Sequence, residues 1–312
     1  MKNRRSGLRW LGLIGLVVLI GALLTACQNG KRTNQAATKD KLKIITTTDF
    51  YGEAARAVAG NKGTVTAVIN NPAVDPHDYE PTSKIASEVS DANVVVANGL
   101  GYDSWMNRLA KDGKGRYVKI GETVMHKKAG DNPHIWYDPT TMPKYANYLA
   151  DQLGKIQPQN KAYFHKNAQK YVQSLKPIKT LMAQLKQQAA HRKTTNQVYV
   201  SEPVFDYAIN ALGYKVGDKN FEAAVERGTD PAPKEIVAMQ NGIKHRQIAF
   251  FVDNKQVSNQ NVEALVKTAQ ASNVPVLKVT ETLPKGMTYK SWMMSQYQDL
   301  SQILTKQDQA VK

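Results

Sequence analysis

Eight short apolar runs, rich in β-branched residues, recur along the chain, four on either side of one long helical stretch. On the first side they read LKIITTT, TVTAVI, ANVVVANG and RYVKIG. On the second they read QVYVSE, YKVGD, QIAFFVD and VPVLKVT. Strands of this length alternating with helical segments are the pattern of parallel sheets with helical crossovers. The expected fold is α/β: two lobes with parallel-type sheets, spanning 42–157 and 192–312, joined by one long helix with a cleft between them. Roughly 270 residues are available after residue 41, enough for two domains of ordinary size.

The stretch between the lobes, 158–191, places Ala168, Tyr171, Leu175, Ile178, Met182, Leu185 and Ala189 at alternating steps of three and four. That spacing is one face of a single long helix joining the lobes. Pro177 falls inside it and is expected to bend it or remove a hydrogen bond. In open α/β sheets ligands bind beyond the carboxyl ends of the strands. His77, Glu202, Asp253 and Glu281 all follow such ends, and His134 lies in a loop ahead of the helix.

The N-terminus is targeting sequence. A basic MKNRRSGLR precedes an apolar run from Trp10 to Leu24 and then LTAC, which together make a secretory signal over 1–26. The apolar run is shorter than the roughly 20 residues of a membrane span. Cys27 is the chain's single cysteine, which excludes an internal disulfide and a cysteine-based metal site. LTAC resembles a lipobox, so Cys27 is the expected lipidation site, anchoring the chain to the extracytoplasmic face of the membrane. Residues 27–41 are polar and aperiodic and read as a flexible tether. Cleavage would remove Lys2, Arg4, Arg5 and Arg9, lowering the formal charge from +16 to +12. Export and the lack of an aromatic-interleaved basic motif argue against nucleic acid, and an anionic membrane or wall suits the basic surface.

Two loops carry the chemistry. NNPAVDPHDYEP (70–81) and GDNPHIWYDP (130–139) each set a histidine directly after a proline, His77 and His134, in acidic surroundings. Proline restricts the backbone beside each imidazole and lowers the entropy lost when a cation orders the loop. Neutral imidazole and carboxylate together suit a divalent transition metal. Asp75, Asp78 and Glu80 either raise the local cation concentration or simply solvate the loop. His126, His165, His191 and His245 have basic neighbours and are expected to be solvated.

DPHDYEP, NPHIWYDP, SEPVFDY and ERGTDPAPKEI resemble, in that order, motifs of the manganese- and zinc-binding solute receptors of ABC importers, a lipoprotein family. The resemblance runs from about Leu42 to the C-terminus. It implies one Mn²⁺ or Zn²⁺ ion carried as transported ligand between two lobes joined by a rigid helix. It also implies a permease and its ATPase as partners, and a monomer. The first two histidine ligands of that family fall on His77 and His134, and the third ligand falls on Glu202. The fourth, usually aspartate, falls on Glu281, with Asp253 as the substitute.

The absence of a third histidine and of a His-rich tract favours manganese, whereas intrinsic affinity favours zinc. Two other readings stay open. An exported zinc hydrolase would use His77, His134 and Glu202 with an open coordination position, but neither HExxH nor Gly-x-Ser-x-Gly occurs. A surface adhesion lipoprotein would hold the metal as structure rather than cargo.

Overall fold

The computed structural model describes residues 41–191, 195–256 and 259–310. The signal segment 1–26, Cys27 and the tether 27–41 apart from Lys41 lie outside the described residues. Each of the eight apolar runs supplies a strand. The first sheet holds β1 (Leu42–Thr48), β2 (Gly63–Ile69), β3 (Val94–Ala97) and β4 (Arg116–Lys119), all parallel, in the order β2-β1-β3-β4. The second holds β5 (Gln197–Val200), β6 (Lys215–Val216), β7 (Phe251–Asn254) and β8 (Val276–Val279), also parallel, in the order β6-β5-β7-β8. The two sheets thus share one strand order, although their sequences show no repeat. In each, the order reverses beside the first strand, so loops leaving neighbouring strands part and open a crevice.

The helices of the first lobe are α1 (Asp49–Ala59), α2 (Ser83–Ser90), α3 (Trp105–Lys111) and α4 (Thr141–Ile156). The stretch between the lobes forms α5 (Lys161–Ser174) and α6 (Lys176–His191). The second lobe adds α7 (Asp206–Leu212), α8 (Lys219–Glu226), α9 (Pro233–Lys244), α10 (Gln260–Ala271) and α11 (Tyr289–Ala310). Among the described residues no helix is long and apolar enough to cross a membrane.

The single helix expected over 158–191 is divided at Leu175. Pro177 has no N–H to give to Gln173, and the chain closes the turn with shorter bonds, Leu175 N to Val172 O and Ile178 N to Leu175 O. The apolar stripe survives the break. Ala168, Tyr171, Leu175, Ile178, Met182 and Leu185 are all buried, and Ala189 is partly so. The break also marks a change of lobe: α5 packs on α1 and α4, whereas α6 packs on α7 and α11.

One hydrophobic core runs through both lobes, from Ile44 and Val96 in the first sheet to Val200 and Leu277 in the second. Aromatic rings form the seam. Phe50 meets Trp136 at 5.1 Å and Trp292 at 5.8 Å, and Tyr137 meets Phe205 at 4.9 Å and Trp292 at 5.6 Å. Hydroxyls cross the same seam: Tyr137 donates to Thr280 O at 2.5 Å and Tyr289 to Trp136 O at 2.6 Å. Burying such side chains contributes about 1.5–3 kcal/mol each, so a hinge that parted the lobes here would lose several such terms at once.

Candidate metal centre

The loop carrying His77 is built by its own polar residues. Asp75 Oδ1 accepts from the His77 backbone N–H at 2.8 Å, an Asx turn that sets the histidine's direction. Trp105 Nε1 donates to Pro76 O at 3.1 Å and its ring lies against Tyr79. The imidazole keeps 34 % of its side-chain surface exposed and stands edge-on to Tyr102 at 4.7 Å.

His134 is wholly buried, edge-on to Trp136 at 5.2 Å. Asn132 Oδ1 lies 2.8 Å from His134 Nδ1 and accepts from its backbone N–H at 2.9 Å. Because Asn132 Nδ2 donates to Pro203 O, its oxygen is the atom that faces the ring. His134 Nδ1 therefore carries the proton, and the lone pair is on Nε2. That nitrogen has no hydrogen-bond partner and no access to solvent.

Glu281 follows β8, its backbone N–H held by Gln256 Oε1 at 2.6 Å. Its Oε1 is likewise buried and unpartnered. It lies 3.9 Å from His77 Nε2 and 3.8 Å from His134 Nε2. The three ligand atoms all fall within 4.8 Å of one another. The Tyr102 hydroxyl lies near this carboxylate without completing a hydrogen bond.

Glu202 lines the same cleft, close enough to Glu281 to raise its carboxyl further. It stands where the strand order of the second sheet reverses, and its Oε1 accepts a short hydrogen bond from Asn254 Nδ2 at the end of β7. Asp253, the substitute for Glu281, is half-buried and faces Lys278 and Lys255. It is outside the group formed by His77, His134 and Glu281. Of the loop acids, Asp75 and Asp78 border the cleft. Asp75 also carries the turn at His77, a backbone role that composition alone did not disclose.

Glu226, a residue that sequence reasoning missed, also approaches the two histidines, although it is outside the group that His77 and His134 form with Glu281. Its Oε1 is 3.8 Å from His77 Nε2 and 3.9 Å from His134 Nε2. The signal was present in ERGTDPAPKEI. A glycine two residues after an acid marks a helix end, and Gly228 takes φ +63° there. His126, His191 and His245 are exposed, as solvated residues should be. His165 differs: its Nε2 lies 3.3 Å from Asp151 Oδ1 across the α4–α5 contact.

Burial pushes His134 well below the usual imidazole range, and neighbouring His77 pushes the same way. His77 is also lowered by burial, against the pull of Asp75 and Asp78. Both rings are thus neutral and able to ligate. Burial raises Glu202, Glu226 and Glu281 to about 8 each, and mutual repulsion adds to this in every case. Neutral nitrogens beside crowded carboxyls make a site that a divalent cation would stabilise.

Residues 44–303 match the family model of the periplasmic zinc-uptake complex component A. The chain is 27 % identical over 203 residues to the manganese-binding lipoprotein MntA of Halalkalibacterium halodurans, covering 64 % of this chain and 67 % of that protein. It is 25 % identical over 322 residues to the high-affinity zinc uptake system protein ZnuA of Bacillus subtilis, covering 94 % and 90 %. Its fold is that of the periplasmic zinc-binding protein TroA of Treponema pallidum, with a TM-score of 0.68 at 19 % identity over 85 % of this chain and 99 % of that one.

Proposed function

Because the chain belongs to the family of the zinc-uptake complex component A, we propose that it is the substrate-binding lipoprotein of an ABC importer. It captures a divalent transition-metal ion outside the membrane and delivers it to a permease driven by an ATPase. One observation carries this reading. His134 Nε2 and Glu281 Oε1, both buried and both without partners, meet His77 Nε2 between the two lobes. Buried polar atoms left unpaired are costly, and a cation in their midst would remove that cost.

Two imidazoles with carboxylates form a nitrogen/oxygen set that accepts Mn²⁺ or Zn²⁺, and relatives named for each metal support both. Manganese is favoured, since the site has no third histidine and carboxylates can fill more coordination positions by chelating. The metal is cargo, and the reading assigns no catalysis to the site. Cys27 carries the lipid that keeps the monomeric receptor at the membrane.

Deleting the gene should reduce uptake of radioactive manganese by the cell. The parent chain should restore uptake and His134→Ala should not. Unchanged uptake of both manganese and zinc after deletion would refute the proposal.

A further inference from the structure

The strands of the first sheet run parallel and the cleft lies beyond their carboxyl ends, so their amino ends form the opposite end of the lobe. That end is basic. Lys43 lies at the start of β1, Lys62 just ahead of β2, and Lys155 in the last turn of α4. Lys111, Lys114 and Arg116 gather where α3 leads into β4. Asp91 and Asp112 sit among them, and Asp91 pairs with Lys43 at 3.8 Å, both side chains largely exposed. Four neighbouring strands about 4.8 Å apart span roughly 15 Å, so these charges share one small face. A cavity of about 390 Å³ opens on it, lined in part by Ser90, Asp91, Lys114 and Arg116. Arg116 Nη1 reaches Gln152 Oε1 at 3.3 Å, which steadies the guanidinium beside the exposed Lys114. A phosphate suits that pair, since a guanidinium presents several N–H donors in one plane.

The chain enters the fold at this same end. Leu42 is the first residue of β1, and residues 27–41 precede it directly. With Cys27 lipidated, that stretch keeps Leu42 within about 50 Å of the bilayer even at fullest extension. The basic face is thereby delivered to the headgroups at high effective concentration. The amino end of the second sheet makes the contrast. Lys215 and Lys244 are exposed there too, but the chain does not enter the fold beside them.

We propose that the amino-terminal end of the first sheet docks on anionic lipid headgroups and holds the cleft clear of the bilayer. This rests on the lipid-anchoring part of the reading above and not on the identity of the cargo. The seven residues of β1, at about 3.3 Å each, put the cleft roughly 23 Å from the docked face. That exceeds the screening length of about 8 Å at physiological salt, so the anionic surface leaves the cation affinity of the site undisturbed. The docked receptor is a capture state, because a permease in the same bilayer meets the cleft only after the base has lifted off. Headgroup charge therefore sets the balance between capture and delivery.

The test uses the full chain, purified from membranes and reconstituted in vesicles of phosphatidylcholine alone or mixed with phosphatidylglycerol. A donor fluorophore on Asn61→Cys reports the basic end and one on Ser83→Cys the cleft end, both exposed positions, with headgroup-labelled lipid as acceptor. Energy transfer should be stronger from position 61 than from position 83 in anionic vesicles. High salt or omission of phosphatidylglycerol should abolish the difference. Each basic side chain at such a surface contributes roughly fivefold to docking, so Lys114→Gln with Arg116→Gln should shrink the docked-to-free ratio about 25-fold. Lys215→Gln with Lys244→Gln should leave it unchanged. Equal transfer from both positions, a difference that persists in phosphatidylcholine, or an equal loss in the second-lobe pair would overturn the proposal. So would a difference that appears only on added anionic wall polymer. The salt and lipid comparisons on the parent chain keep the test independent of how the variants fold. Mass spectrometry showing Cys27 without lipid would overturn the anchoring reading and the proposal together, whereas a lipidated chain without orientation would overturn the proposal alone.

Discussion

Asn132 presents one oxygen to His134 twice, at 2.8 Å to the ring Nδ1 and at 2.9 Å to the backbone nitrogen, while its own amide nitrogen reaches the Pro203 carbonyl of the other lobe. One side chain thus fixes the tautomer, the ring direction and the register between the loops on either side of the cleft. Asn132→Ala should lower metal affinity by about 10- to 100-fold while leaving the fold intact. Competitive titration against a chelator of known affinity measures this directly. Unchanged affinity would show that burial alone orients the imidazole.

Gln256 performs the corresponding task at the mouth of the cleft. Its Nε2 donates to Pro72 O at 2.7 Å, in the loop that carries His77, and its Oε1 accepts from Glu281 N–H at 2.6 Å. Thr282 Oγ1 adds a second bond to Pro72 O at 3.0 Å. With about 1 kcal/mol net for each hydrogen bond, Gln256→Ala should speed metal release roughly 5- to 30-fold and change capture little. Stopped-flow chelator chase separates the two rates, and equal effects on both would contradict a clasp.

The pH response has a definite sign. Glu202, Glu226 and Glu281 hold their protons to about pH 8 in the folded chain, against 4.5 for an ordinary glutamate. The folded state binds more protons over that interval, so their contribution to stability is full below 4.5 and is lost as pH rises through 8. His77 and His134, lowered from 6.5, act oppositely, but only below 6.5. Between pH 6.5 and 8 the metal-free chain should therefore lose thermal stability, and Glu281→Gln should flatten the slope. Metal affinity should rise over the same interval, because binding displaces those protons. Melting curves with excess chelator check the first two statements, and a metal-free stability that rises over this interval would contradict them.

Much of this architecture was legible in the residues. Each β-branched run became a strand, the central ones buried along most of their length and the edge ones half-exposed, and the stripe from Ala168 to Leu185 became a buried face through its spacing alone. The division at Leu175 was only partly legible: Pro177 announced a defect, but the neighbouring helices decided that the chain would change lobes there. At the site, His77 and His134 were legible because prolines frame them. Glu226 was only hinted at by the helix-ending glycine of ERGTDPAPKEI, since its approach to the imidazoles depends on how Lys219, paired with buried Glu222 of its own helix, ties that helix to buried Asp206. Glu202 was legible as a strand-end acid beside the cleft, whereas its bond to Asn254, remote in sequence, was not. His165 was read from its basic neighbours in sequence, whereas Asp151 meets it across two packed helices.

The shared core makes a prediction of its own. Since Phe50, Tyr137, Phe205 and Trp292 pack across the seam, the lobes should unfold together in one calorimetric transition. Trp292→Ala should cost about 3–5 kcal/mol and lower that single transition. Two resolved transitions in the parent chain would show that the lobes are energetically separate.

The most direct measurement is the metal content of the detergent-solubilised full chain after incubation with manganese or zinc and gel filtration, alongside His134→Ala. The account predicts one ion per chain, removable by chelator without unfolding and absent from the variant. No stoichiometric ion, or an ion retained after His134 is replaced, would contradict a metal receptor built on this cleft.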